Sequence, residues 1–95
     1  MNEHRICTMI GFAARARKCV SGATAVESAI RSRKAKLVVL DKESSENSKK
    51  NYQNLCEHYK IPYIEITNPG LAIGKPDRLC LAILQKEFAE QIIKA

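Results

Sequence analysis

The positive charge of this 95-residue chain is concentrated in its first third. Residues 1–36, which we call the basic lobe, carry eight lysines and arginines but only two acids, Glu3 and Glu27. Residues 37–95 carry eight of each sign, so the formal net charge of +6 belongs to the basic lobe. The eight cations are Arg5, Arg15, Arg17, Lys18, Arg31, Arg33, Lys34 and Lys36. A lopsided charge of this kind attracts a polyanion, with nucleic acid as the first partner to consider and an acidic membrane surface as the second.

The remaining reactive residue types do not form a complete site. The four cysteines show no C-x-x-C spacing and the two histidines complete no zinc pattern, so we expect reduced, buried thiols and no metal. Asp41 and Glu43 flank a predicted strand end without a nearby histidine, and we interpret them as solvated loop acids. The segment from Gly70 to Pro76 is one residue short of a phosphate-binding loop, and Pro76 stands where Ser or Thr would hold magnesium. The sequence therefore predicts no catalytic residue, no cofactor and no small-molecule substrate.

Length and hydropathy indicate a single domain spanning residues 1–95. No apolar run approaches the roughly 18 residues of a membrane span, and the N-terminus lacks the apolar core of a signal peptide. We therefore expect a cytoplasmic protein without a membrane partner.

Hydrophobic periodicity predicts four helices that alternate with strands. The apolar helical positions are Ile6, Met9, Ile10 and Ala13; Val26, Ala29 and Ile30; Tyr52, Leu55, Cys56 and Tyr59; and Phe88, Ala89, Ile92 and Ile93. The predicted strands are 37–40, 61–66 and 79–84, with a small edge strand at 19–20 and one helical turn at 71–74. This alternation predicts a three-layer α/β/α sandwich, in which a mostly parallel or mixed sheet of about four strands has helices on both faces.

The second helix is where the basic lobe ends. Either Ser21 caps its N-terminus, or Thr24 and Glu27 form a capping box. Four bases between Arg31 and Lys36 are expected to close it, and three more close the preceding helix. Because no aromatic residue lies among these bases, base stacking is poorly supported, which favours a partner recognised by its backbone and shape, such as folded RNA.

Six segments of the chain resemble one protein family. They are 9–18 (MIGFAARARK), 20–22 (VSG), 35–40 (AKLVVL), 55–63 (LCEHYKIPY), 70–74 (GLAIG) and 79–83 (LCLAI). Together they are similar to the kink-turn-binding ribosomal-protein family of the L-seven-Ae type, and within it to the bacterial YlxQ-like branch. The resemblance covers nearly the whole chain and implies a module that binds a kink-turn, which is an RNA duplex bent sharply at a short bulge.

The resemblance also implies which residues meet RNA. The N-terminus of the second helix would enter the kink at Gly22, where the missing side chain allows close approach of the RNA backbone. An apolar patch at Ala72, Ile73 and Gly74, expected near Gly22, would cover a flipped-out bulge base. Phosphate contacts would come from Lys18, Arg31, Arg33 and Lys36.

The chain departs from the family at its best-known signature, Asn-Glu-x-x-Lys after a glycine-threonine pair. Ala23 replaces the threonine, and Thr24, Ala25 and Ser28 stand at the Asn, Glu and Lys positions. Thr24 and Ser28 can still form hydrogen bonds, whereas Ala25 cannot, and each base-edge interaction that is missing removes about 1–3 kcal/mol of discrimination. Thr24 can equally serve as a helix cap.

These observations lead to one main hypothesis and two alternatives. The main one is a non-enzymatic, ribosomal-type protein that binds structured RNA, either rRNA or an mRNA element, and associates with the ribosome. The first alternative is a protein-interaction module on the same scaffold, which the missing signature favours. The second is a detached substrate-binding domain of an RNA-modifying enzyme, which the absence of a cofactor motif opposes and detectable S-adenosylmethionine binding would support.

Overall fold

The computed structural model describes residues 1–95 and contains four α-helices, four strands and one 3-10 helix. In chain order these are α1 (Glu3–Arg15), β1 (Cys19–Ser21), α2 (Ala23–Arg31), β2 (Leu37–Asp41), α3 (Glu46–Tyr59), β3 (Tyr63–Ile66), the 3-10 helix (Pro69–Ile73), β4 (Cys80–Ile83) and α4 (Lys86–Lys94). The predicted order of elements is confirmed, including the small edge strand β1. None of the helices is both long enough and apolar enough to cross a membrane.

The four strands form one mixed sheet in the order β1-β4-β2-β3. Only β2 and β3 are parallel, whereas β4 runs antiparallel to both of its neighbours. The sheet is therefore mixed rather than mostly parallel. The reason lies in residues 67–79, which stay at the end of the sheet where β3 stops, so that β4 must return in the opposite direction. A parallel β4 would need a crossover back to the other end.

Helices cover both faces of this sheet, as predicted for a three-layer sandwich. Successive β2 residues alternate between the two layers: Leu37 and Val39 pack with α1 and α4, whereas Val38 and Leu40 pack with α2 and α3. All five residues of β2 are buried, as expected for a strand with helices on each side. The predicted helix faces are buried at most positions, but Ile93 is about half exposed at 48%.

The strands define two opposite ends of the sheet. At one end, which we call the Gly22 end, β1 and β2 finish and β4 begins, and the Gly22 N–H donates to the carbonyl of Cys80 at 3.1 Å. At the other, Lys18 and Lys36 precede β1 and β2, and β4 finishes at Ile83. Every α-helix spans the distance between the ends, and α2, with nine residues, is about 13 Å long.

Candidate nucleic-acid interface

Gly22 forms the N-terminus of α2 in a conformation that only glycine adopts readily. Its φ is +91° and its ψ is 153°, a region essentially closed to residues with a side chain. No side chain caps α2, so both predicted caps, Ser21 and the Thr24–Glu27 capping box, are wrong. Thr24 lies instead in the first turn, one residue after Ala23, with its side chain exposed. Its hydroxyl is therefore free to meet a ligand.

The Arg78 guanidinium lies directly against Gly22. A β carbon at Gly22 would collide with Arg78 Nη1, and the same nitrogen donates a hydrogen bond to the Ser21 carbonyl at 3.3 Å. Glycine at this position therefore allows a cation to lie beside the backbone at the start of α2. The N-terminal N–H groups of α2 carry partial positive charge, so the guanidinium adds to a field that favours an anion.

Two adjoining clefts connect α2 with the loop before β4. The first is lined by residues 21–25, Ser28 and Arg78. The second, of about 420 Å³, shares Ser21, Ala25 and Arg78 with the first and adds Ile73 and Lys75. The structure thus brings the predicted residues Gly22, Ala23, Thr24 and Ser28 close to Ile73 of the predicted apolar patch.

The loop that carries Ala72, Ile73 and Gly74 is held firmly at its base. Pro69 and Gly70 are buried, and a β carbon at Gly70 would collide with the carbonyl oxygens of Lys75 and Arg78. Gly74 ends the 3-10 helix in a left-handed conformation and is exposed with open space around it.

The apolar side chains that this loop exposes are not the ones that were predicted. Ala72 and Ile73 are half-buried because they pack against the core layer of α1 and α4. The most exposed apolar side chain of the loop is Leu71, at 60%, and Leu79, just before β4, follows at 48%. Neither leucine belongs to the apolar patch predicted from the sequence.

Lys75 and Arg78 are cations of the Gly22 end that were not among the site residues predicted from the sequence. They belong to the half of the chain whose charges cancel, so a sum along the sequence hides them. Their position just before β4, in the loop already expected to approach Gly22, was the signal that could have found them.

Lys18, Arg33 and Lys36 lie at the opposite end of the sheet from Gly22. The Lys18 carbonyl accepts from the Leu84 N–H at 2.8 Å, and the Lys36 N–H donates to the Ile83 carbonyl at 2.7 Å. Arg31 is the last residue of α2, so the bases from Arg33 to Lys36 follow the helix and do not close it. The structure therefore splits the predicted site residues between two ends.

Two arginines of the basic lobe stack on aromatic rings. The Arg15 guanidinium lies 5.0 Å from the centroid of Phe12, and that of Arg33 lies 5.2 Å from the centroid of Tyr59. Phe12 lies about one helical turn before Arg15 in the sequence, just outside the clusters of bases, whereas Tyr59 comes from α3 and reaches Arg33 only through folding.

The Cys19 and Cys56 thiols and the Asp41 carboxylate lie in environments that favour a structural role over a catalytic one. Burial raises the pKa of both Cys19 and Cys56 to about 11, so these thiols stay protonated at neutral pH. The buried Asp41 carboxylate accepts from the Glu43 N–H at 2.9 Å and shapes the turn after β2, so it is not a solvated acid. No group of three or more His, Cys, Asp or Glu residues is arranged to hold a metal ion.

The fold and the paired clefts at the Gly22 end define a small α/β/α sandwich that displays a helix N-terminus beside a loop. Residues 5–93 match the family model described as the ribosomal protein L7Ae/L30e/S12e/Gadd45 family. The chain belongs to this family, and its resemblance to the YlxQ-like branch is confirmed.

Two bacterial relatives carry the name RNA-binding protein YlxQ. The one from Bacillus subtilis (strain 168) is 39% identical over 88 residues, covering 90% of this chain and 88% of the relative. The one from Enterococcus faecium is 32% identical over 93 residues, covering 95% and 89%.

Solved structures share the fold. A protein of unknown function from Bacillus halodurans C has a TM-score of 0.90 at 27% identity, with 95% of this chain and 94% of that chain covered. The Giardia lamblia 15.5kD RNA binding protein has a TM-score of 0.80 at 15% identity, with 97% and 82% covered, and shows that the fold is shared.

Proposed function

We propose that this protein is a non-enzymatic, cytoplasmic RNA-binding domain that recognises a sharply bent RNA, of the kink-turn kind, at the Gly22 end. The observation that carries the proposal is the contact between Arg78 and Gly22, at a helix N-terminus that opens onto two clefts. Membership of a ribosomal-protein family and the RNA-binding relatives support it. Structured rRNA or an mRNA element on the ribosome is the corresponding partner.

The Gly22 end offers two kinds of contact to a bent RNA backbone. Arg78 and Lys75 supply cations, and the N-terminal N–H groups of α2 supply donors that point toward phosphate. At a kink the phosphates of two helical segments converge. A compact pair of cations beside a helix N-terminus therefore fits the phosphates of a bent RNA better than it fits those of a straight duplex. Because Gly22 has no side chain, the Arg78 guanidinium can lie directly beside this helix N-terminus.

Base contacts in this proposal are few. Thr24 and Ser28 can donate or accept hydrogen bonds from the exposed face of α2, whereas Ala25 offers only a methyl group. Ile73 lines the second cleft and provides an apolar side chain against which an unstacked base can pack, with Ala72 and Gly74 beside it in the chain. Selectivity would then come mainly from the shape of the RNA rather than from reading its sequence.

A titration at two salt concentrations tests the proposal. A kink-turn RNA and a straight duplex of equal length are each titrated with the protein and with Arg78→Gln, and Lys50→Gln, an exposed cation in the first half of α3, serves as control. We expect a preference for the kinked RNA that persists at the higher salt, is lost in Arg78→Gln and is kept in the control. Equal binding of both RNAs by the unmodified protein would contradict the proposal.

A protein-interaction role on the same scaffold is the second candidate. The exposed Leu71 and Leu79, both beside the Gly22 end, favour it, because large exposed apolar side chains often mark binding surfaces. A partner protein that co-purifies after nuclease treatment and at high salt would support this role, since phosphate-driven contacts weaken steeply with salt.

A further inference from the structure

Helices α1, α2 and α3 end in the same way at the end of the sheet opposite Gly22. Each finishes with a left-handed residue, and these residues are Arg17 (φ +59°), Arg33 (φ +62°) and Lys60 (φ +58°). In each case the next residue donates back to the carbonyl five positions earlier: Lys18 to Ala13, Lys34 to Ala29 and Ile61 to Cys56, at 2.8 to 2.9 Å. This is the Schellman motif, in which glycine is the usual left-handed residue.

The chain has cations at all three of these positions. Asn68 is the only other residue besides glycine with a positive φ, so three of the four left-handed side chains in the protein are cations at one end of the sheet. Backbone strain that is kept in a fold often marks a functional surface. Each of the three helix ends therefore combines a left-handed backbone with a positive charge, and the three charges lie at the same end of the sheet.

These cations belong to a larger group, which we call the basic end. Its members are Arg15, Arg17, Lys18, Arg31, Arg33, Lys34, Lys36, Lys60 and Lys86. Among them only Lys86 forms an ion pair, with Glu90 at 3.9 Å. Cations near helix C-termini are favoured by the helix dipole, but Lys86 is the first residue of α4, where the dipole opposes a positive charge. The dipole therefore explains only part of the group.

The basic end also contains a groove. Its lining combines apolar side chains, among them Tyr59, Ile61 and Ile93, with the cations Arg33, Lys36 and Lys60 and the ion pair of Lys86 with Glu90. The Arg33 guanidinium lies over the Tyr59 ring, 5.2 Å from its centroid. The stacked arginine and aromatic groups suit a nucleotide base, and the cations of the lining that form no ion pair suit its phosphates.

We propose that the basic end is a second RNA-binding surface, which contacts the phosphate backbone of an RNA segment other than the one at the Gly22 end. One chain would then bridge two RNA segments from opposite ends of its sheet. The cations extend across strands β1 to β3, a width of about 14 Å at the usual strand spacing. A duplex presents about eight charges over that length, which favours RNA over a short acidic peptide. The inference does not depend on kink recognition at the Gly22 end.

A triple variant, Arg17→Asn, Arg33→Asn and Lys60→Asn, tests the second surface without straining the fold. Asparagine tolerates the left-handed conformation, so thermal unfolding should occur at the same temperature or higher. The control is Arg5→Gln, Lys50→Gln and Lys94→Gln, which removes the same charge from exposed positions outside the basic end. A further variant, Lys34→Gln with Lys36→Gln, leaves the left-handed residues unchanged.

The first measurement is a titration of a straight duplex across several salt concentrations. The triple asparagine variant should bind at least about tenfold more weakly, and the slope of log affinity against log salt should shrink by about 0.9 for each phosphate that the protein no longer neutralises. Lys34→Gln with Lys36→Gln should change binding in the same direction. An equal loss of affinity in the control would overturn the proposal, since net charge alone would then explain the binding.

The second measurement tests bridging directly. A kink-turn RNA is immobilised, the protein is added, and capture of a labelled straight duplex is measured. The unmodified protein should capture the duplex, whereas the triple asparagine variant should bind the immobilised RNA and capture little. Arg78→Gln should lose kink preference yet bind the free duplex as before, which separates failure of one surface from failure of the other. Polyglutamate that competes as strongly as duplex RNA would point to an acidic protein partner and overturn the proposal.

Discussion

Arg78 occupies the space that a β carbon would fill at Gly22, and this contact joins the loop before β4 to the start of α2. The guanidinium is held there by its hydrogen bond to the Ser21 carbonyl. A glycine from the first third of the chain and a cation from the last third thus form one surface. The approach of Arg78 and the backbone conformation of Gly22 both require that residue 22 has no side chain.

Gly22→Ala should lower the free energy of unfolding by about 1–3 kcal/mol, because alanine is strained at φ +91° and ψ 153°. It should also displace Arg78 and weaken binding of kinked RNA. Gly74→Asn is the matched control: Gly74 is left-handed, has open space around it, and adopts a conformation that asparagine tolerates. Urea denaturation of both variants checks the prediction, and equal losses of stability would contradict it.

Alanine substitution of the two adjacent serines after β2 should have different effects on the stability of the protein. The Ser45 hydroxyl accepts from the Ser48 N–H at 3.1 Å and caps α3, so Ser45→Ala should destabilise the protein by about 1 kcal/mol. The Ser44 hydroxyl is buried and has no hydrogen-bond partner, so Ser44→Ala should be neutral or stabilising. Denaturant midpoints measure both effects, and a larger loss of stability from Ser44→Ala would show that its hydroxyl is paired in solution.

Stability should fall in acid partly through Glu3. Its carboxylate accepts from Lys42 Nζ at 2.6 Å and from the Thr67 N–H at 2.8 Å, and these contacts lower its pKa below the ordinary value of 4.5. The contribution to stability is therefore fully present above pH 4.5 and is lost as the pH falls through the lower pKa of the folded state. Glu3→Gln should show a lower unfolding temperature than the unmodified protein at neutral pH, and the difference should vanish in strong acid.

Glu57→Gln provides the control for that pH profile, because Glu57 is exposed and forms no ion pair. It should produce no comparable pH-dependent difference. A difference between Glu3→Gln and the unmodified protein that stays constant down to strong acid would mean that the Glu3 contacts do not act through ionisation.

Much of the fold could be predicted because the spacing of apolar residues within each helix and strand is a local feature of the sequence. Helical spacing located α1 to α4, and the apolar run from Leu37 to Leu40 predicted a strand buried on both faces. Strand direction could not be read in this way. Whether β4 runs parallel to β2 depends on the path of residues 67–79, which is held by tertiary contacts such as the packing of Ala72 and Ile73 against the core layer of α1 and α4.

The candidate site was only partly predictable because charge was summed along the chain rather than in space. Gly22 and the loop at Ala72 to Gly74 followed from the family resemblance. Lys75 and Arg78 were missed, and Lys36 lies at the opposite end because α2 carries the chain away from Gly22. Neighbours in sequence can thus belong to different surfaces, while Arg33 and Tyr59, which are distant in sequence, stack on each other.

Restoring the family signature should strengthen recognition of kinked RNA at the Gly22 end. Thr24, Ala25 and Ser28 are exposed on the first turns of α2, and all three line the cleft beside Arg78. The triple change Thr24→Asn, Ala25→Glu and Ser28→Lys leaves net charge unchanged and places an acid near the helix N-terminus, where the dipole favours it. We expect affinity for a kink-turn with tandem G·A pairs to rise at least about tenfold, since each good base contact contributes about 1–3 kcal/mol.

The matched control is the triple change Thr24→Asn, Ala25→Lys and Ser28→Glu. It introduces the same three residue types, but the lysine and the glutamate exchange positions. Both triple variants are titrated against the kink-turn and against the same RNA with Watson–Crick pairs in place of the G·A pairs. The gain in affinity should appear only for the signature order and only with the G·A pairs, because the side chains must face specific base edges. An equal gain in both variants, or none in either, would mean that the first turns of α2 do not face the bases, and that Arg78 and Lys75 bind RNA through its phosphates alone.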